Sequence, residues 1–184
     1  MTKTSWTLTV AGLALIGAAC AAAAAEKSHK LTTVSTRKMA DSLHAVIAAD
    51  QQAYVEQVVE RARKEVAASL PGHAALLRSA SQAIQKRGAE FSYTLRSLQP
   101  IDSNNGPQSQ AEQDGLAFVA GHPGENFYTE EELGGRSYFT AVYANRATSS
   151  ACVECHNANP QSPRRDYRLG DVMGAMVVRV PLEF

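Results

Sequence analysis

The sequence predicts an α+β fold, helices first and mainly sheet afterwards. Two stretches of three- and four-residue apolar periodicity in the first half point that way. So do the short alternating or β-branched runs of the second half, and the Gly, Pro and Asn clusters that separate the segments.

From Met39 to Val66 the apolar residues Met39, Leu43, Val46, Ile47, Tyr54, Val58, Ala62 and Val66 recur at helical steps, with Gln, Glu, Arg and Lys between them. That is one long amphipathic helix. At 1.5 Å per residue it would run for roughly 40 Å, longer than a domain of this size needs, so its apolar stripe is a candidate homodimer surface. Pro71-Gly72 ends it, and a second helix is expected from His73 to Lys86, with His73, Leu77, Ala80 and Ile84 on one face and Gly88 as its C-terminal cap.

Phe91, Tyr93 and Leu95 alternate with polar residues as in a half-buried strand, and Pro100 to Pro107 is a surface loop. Ser109 and Glu112 have capping-box spacing ahead of a short helix that buries Leu116, Phe118 and Val119 and ends at Gly121 to Gly124. Strands are expected around Phe127-Tyr128 and from Tyr138 to Tyr143, joined through Gly134-Gly135, and again from Val172 to Val180 after Gly170-Asp171. Between the last two lies an irregular connection, Asn145 to Tyr167, too long for a hairpin turn and therefore expected to be functional.

The first 25 residues read as a secretory signal: Lys3, an apolar run from Leu8 to Ile16, and Ala23-Ala24-Ala25 as the cleavage site before Glu26. The expected organisation is a signal peptide over 1–25, a long-helix region over 26–70 and the domain carrying the chemistry over 71–184, with the mature protein periplasmic. The alternatives are an uncleaved membrane anchor and a lipoprotein cut before Cys20, where Gly17 stands in the place usually held by Leu. Eighteen basic and eighteen acidic residues balance, so there is no electrostatic footprint for nucleic acid.

With Cys20 inside the signal, the remaining cysteines are Cys152 and Cys155, in Cys152-Val153-Glu154-Cys155-His156. C-x-x-C-H places two thiols for addition to haem vinyl groups and an imidazole for the iron on the same side, which predicts one covalent haem c with His156 as proximal ligand. A zinc site would need two further ligands at suitable spacing. A thioredoxin-like dithiol would open a helix after a strand of a βαβ unit. Apart from haem there is no acid/base pair or nucleophile constellation, so no enzyme is expected.

Ala151 to Asn157 reads ACVECHN, followed by Asn159-Pro160, Ser162-Pro163 and DYRLGDVMGAMVVRVPL from Asp166 to Leu182. From about Met39 to its end the chain resembles the exported single-haem c-type domains with a PAS-like fold, a former domain of unknown function found as periplasmic haem sensors and in a photosystem-associated haem protein. The resemblance implies a PAS-like antiparallel sheet with flanking helices. In many relatives a Cys on an early helix, about sixteen residues before the Gly that opens the first strand, is the sixth iron ligand. Here that Gly resembles Gly88, and counting back reaches Gly72 or His73, so the cysteine is missing and His73 becomes the leading distal ligand. Met39 and His44 on the long helix, or a vacant position, are the alternatives.

Arg164, Arg165 and Arg168 are candidates for the haem propionates, or a solvated basic loop. Tyr138, Phe139 and Tyr143 are candidates for the pocket wall, or core. Met173 and Met176 fall on opposite faces of the last strand and are read as sheet packing, and His122 as solvated. Electron transfer is the expected function, and sensing is the alternative. A six-coordinate haem would pass electrons to a redox partner protein, whereas an open or displaceable sixth site would sense redox state or a gas such as NO or CO through a signalling partner.

Overall fold

The structure, a computed structural model, describes residues 35–59 and 73–182. The expected signal, Ala62, Val66 and Pro71-Gly72 lie outside the described residues. Arg37–Phe184 forms one compact unit. Helix α1 covers 35–54 and continues as a π-helical turn over Val55–Val59. Then come α2 (His73–Gln85), β1 (Ser92–Arg96), a 3-10 turn (Ser103–Asn105), α3 (Gln110–Gly121), β2 (Phe127–Leu133), β3 (Arg136–Arg146), α4 (Ser150–Ala158) and β4 (Val172–Pro181). Among the described residues no helix is long and apolar enough to cross a membrane.

The strands make one antiparallel sheet in the order β1-β4-β3-β2, an α+β, PAS-like architecture. The last strand therefore inserts between the first and third. β2 and β3 form a hairpin through Gly134 and Gly135, both at positive φ (61° and 77°), a turn that side-chain-bearing residues resist. β2 runs on past the expected Phe127-Tyr128 through three consecutive glutamates, a charged edge strand that discourages pairing with another chain.

Alternation along β3 and β4 divides the core into two layers. Phe139, Ala141, Tyr143, Met176, Val178 and Val180 face α1 and α2, where Ala40, Ile47, Leu43 and Leu77 meet them. Val142, Ala175 and Val177 face α3 through Leu116 and Val119. The buried stripe runs through Ala40 and Ile47 of α1 and on to Val55 of the π-helical turn, so Met39 (43 % exposed) and Val46 (62 %), counted into the apolar stripe above, lie on the outer surface of α1. The expected stripe passed over Ala40, whose small side chain lets the helix approach the sheet closely.

Candidate functional site

The segment expected to be irregular contains a helix. Ser149 caps α4, its Oγ accepting the Ala151 N–H at 2.9 Å, and the helix carries the whole C-x-x-C-H motif. Ser149-Ser150 ahead of the motif was the capping signal that could have located it. Within the helix Cys152, Cys155 and His156 stand at i, i+3 and i+4, so they share one face. The flanking strands β3 and β4 are antiparallel, which is not the βαβ setting of a thioredoxin dithiol.

That face borders a cleft of about 770 Å³, within the size range of cofactor sites. Besides Cys152, Cys155 and His156, the cleft is lined by Tyr54 and Val55 of α1, His73 at the start of α2, Leu95 and Arg96 of β1, Pro100 and Ile101, and Arg146, Met173 and Gly174. His73 stacks on Tyr54 with ring centroids 5.7 Å apart, and its Nδ1 lies 3.5 Å from Gln51 Nε2, which also donates to Asn145 Oδ1 at 2.8 Å. Burial pushes the pKa of both His73 and His156 down, so each imidazole keeps a nitrogen lone pair available at neutral pH.

The other candidates are placed elsewhere. His44 lies flat against Tyr143, centroids 3.9 Å apart, under the sheet, and Met39 faces outward. Neither lines the cleft. Met173 does, whereas Met176 is buried in the α1-facing core layer, so the two faces of β4 separate as expected. His122 is exposed at the end of α3, against Phe118.

Tyr138 pairs with Glu131 and Pro181 near the opposite end of β3 from the cleft residues Asn145 and Arg146. Seven residues of strand separate Tyr138 from Asn145, about 23 Å of rise, so it is not a cleft wall. Phe139 and Tyr143 are buried against α1 and α2.

Arg164 pairs with Asp166 (2.7 Å) and Asp171 (2.6 Å), and Arg165 donates to the Ser162 and Pro160 carbonyls; the cleft lining includes neither. The arginines that line it are Arg96 and Arg146, the latter with its guanidinium donating to the Pro123 carbonyl. Local carboxylates and turn carbonyls nearest in sequence have taken the basic residues expected to serve the cleft.

Sequence reasoning missed Arg96. Its Nε approaches Glu112 Oε2 at 3.2 Å and its Nη1 donates to the Asn104 carbonyl at 2.8 Å. Ser109 Oγ accepts the Glu112 N–H at 3.2 Å, as the capping spacing predicts. The Glu112 carboxylate, though, accepts from the Gln108 N–H at 2.6 Å and sits wholly buried between Arg96 and Arg179. No motif signals a contact among three residues on three different elements.

No curated protein matches the chain. Among solved structures, the crystal structure of the cyanobacterial heme-protein Tll0287 is similar with a TM-score of 0.48 at 17% sequence identity, over 77% of this chain and 95% of that one. A family model described as Tll0287-like matches residues 24–181, nearly the span over which the ACVECHN and LGDVMG segments carried a resemblance. The chain belongs to the Tll0287-like family.

Proposed function

We propose that this protein is an exported monohaem c-type cytochrome that transfers single electrons in the periplasm through a six-coordinate haem. The observation that carries the reading is that His73 opens onto the same cleft as the Cys152, Cys155 and His156 face of α4. The residues suit the group. Two thiols and an imidazole share one helical face, a second neutral imidazole borders the same space, and apolar Tyr54, Val55, Leu95, Ile101 and Met173 offer walls for a macrocycle. The solved neighbour is described as a heme-protein.

In this reading Cys152 and Cys155 would hold the haem covalently, His156 and His73 would be its nitrogen ligands, and Arg96 and Arg146 would be the guanidinium donors to the propionates, in place of Arg164 and Arg165. When bound, the haem supplies a reversible one-electron couple. The chain's part is to hold both imidazoles in place through oxidation and reduction, so that little rearrangement opposes transfer, and to limit water around them. Glu112 and the Asn104 carbonyl hold the Arg96 guanidinium in place. The partner is a redox protein, and the exposed Met39 and Val46 of α1 are the surface on which a homodimer would form.

The test is the absorption spectrum of dithionite-reduced protein, matured with a cytochrome c assembly system, before and after CO. A covalent haem whose spectrum does not change with CO supports two tight protein ligands and electron transfer. A CO-shifted Soret band moves the function to sensing. Absence of covalent haem defeats the proposal.

A further inference from the structure

The motif segment is Cys-His-Asn, and its Asn157 has no part in the reading above. Asn157 Nδ2 donates to the Tyr167 carbonyl and its Oδ1 accepts the Tyr167 N–H, each at 3.0 Å. One amide side chain thus satisfies both backbone groups of a single residue in the loop after α4, as a paired strand would.

The residue so clamped is 4 % exposed and packs with Ala147, Met173, Cys152 and Val153 beneath the motif helix. Its hydroxyl donates to Gln99 Oε1 at 3.2 Å, and the Arg164 guanidinium lies over its ring at 4.4 Å. This immobilised ring meets the His156 imidazole nearly at right angles, centroids 5.8 Å apart and planes at 86°. Among the described residues the contact of the His156 side chain is this ring, not a hydrogen bond. Metal-binding imidazoles are usually oriented by a hydrogen bond from the second ring nitrogen. Here an aromatic ring stands beside the imidazole.

We propose that Asn157 and Tyr167 are positioning residues: Asn157 clamps Tyr167, and the Tyr167 ring sets the plane of the His156 imidazole and keeps water from it. The inference rests on the haem reading above. A ring held on an apolar, dehydrated side disfavours the more highly charged ferric state, so loosening it lowers the midpoint potential and lets the imidazole plane vary.

The experiment uses haem-loaded wild type, Asn157→Ala, Tyr167→Leu and Tyr167→Phe, read by covalent haem content, spectroelectrochemical midpoint potential and the EPR spectrum of the ferric protein. Asn157→Ala and Tyr167→Leu are expected to keep covalent haem but shift the redox equilibrium about tenfold towards ferric, about 59 mV for one electron, with broadened EPR lines. Tyr167→Phe, which keeps the ring, stays close to wild type. Unchanged potential and EPR in the first two variants, or an equal shift in Tyr167→Phe, overturns the proposal. Should those two variants not fold, NMR of reduced wild type decides: ring-to-ring NOEs between His156 and Tyr167 are expected, and their absence overturns it. Wild type without covalent haem refutes the underlying reading instead.

Discussion

Arg179 Nη1 lies 2.8 Å from Glu112 Oε1, joining the C-terminal part of β4 to the first turn of α3 by an ion pair in which the carboxylate is fully buried and the guanidinium nearly so. Arg96 completes the arrangement on the second carboxylate oxygen, and Arg179 reaches on to Glu131 at 2.8 Å. The cluster ties the α3-facing side of the sheet to a residue that lines the cleft.

Removing the shared carboxylate leaves the largely buried Arg96 guanidinium without its counter-charge and Arg179 with Glu131 alone. Glu112→Ala is expected to cost about 3–5 kcal/mol, read as a lowered urea midpoint. Arg136→Ala, which breaks the exposed pair with Glu90, should cost less than about 1 kcal/mol. Similar small losses in both would show that Glu112 is not holding the cluster.

Gly174 sits where β4 passes β1, and a Cβ there would fall inside van der Waals contact of the Arg96 carbonyl oxygen, a backbone atom that cannot swing away. Gly174→Ala is therefore expected to destabilise by about 3 kcal/mol, at the upper end of overpacking costs, and to disturb Arg96. At Gly121, the last residue of α3, a Cβ meets nothing, so Gly121→Ala should be neutral or slightly stabilising. Thermal unfolding of the two variants side by side checks the contrast.

Burial beside Tyr143 pushes the His44 pKa down, and the neighbouring Asp41 carboxylate offsets only part of that. A folded pKa below the unfolded value of 6.5 means that the unfolded chain binds the proton more readily. The stability tied to neutral His44 is thus fully present above pH 6.5 and is lost as pH falls from there through the lowered folded value. Urea midpoints at several pH values between 7.5 and 5 should decline less steeply in His44→Phe than in wild type. Parallel declines would remove His44 from the account.

His73→Ala removes the proposed distal imidazole while leaving the motif helix untouched. The variant should retain covalent haem, shift its Soret band and bind CO in the reduced state, whereas His44→Phe should change none of these. A His73→Ala spectrum identical to wild type would exclude His73 as a ligand.

Local chemistry made much of this protein legible from residue order. Strand alternation in Phe91 to Leu95, the glycine pair at 134–135, the Ser109 cap and the three donors of Cys152 to His156 are set by contacts within a few residues. Such contacts follow from backbone period and side-chain type alone.

Tertiary packing decided what sequence distance concealed. It put His73 on the cleft that Cys152, Cys155 and His156 face, and it left Tyr138 at the far end of β3. It tied Arg164 to Asp166 and Asp171 and brought Arg96 to the cleft in its stead. It also buried Glu112 between arginines from two strands. Periodicity says that an element has an apolar face. Which faces meet, and which charges are thereby forced to find partners, depends on the order β1-β4-β3-β2 and on small residues such as Ala40 and Gly174 that allow close approach.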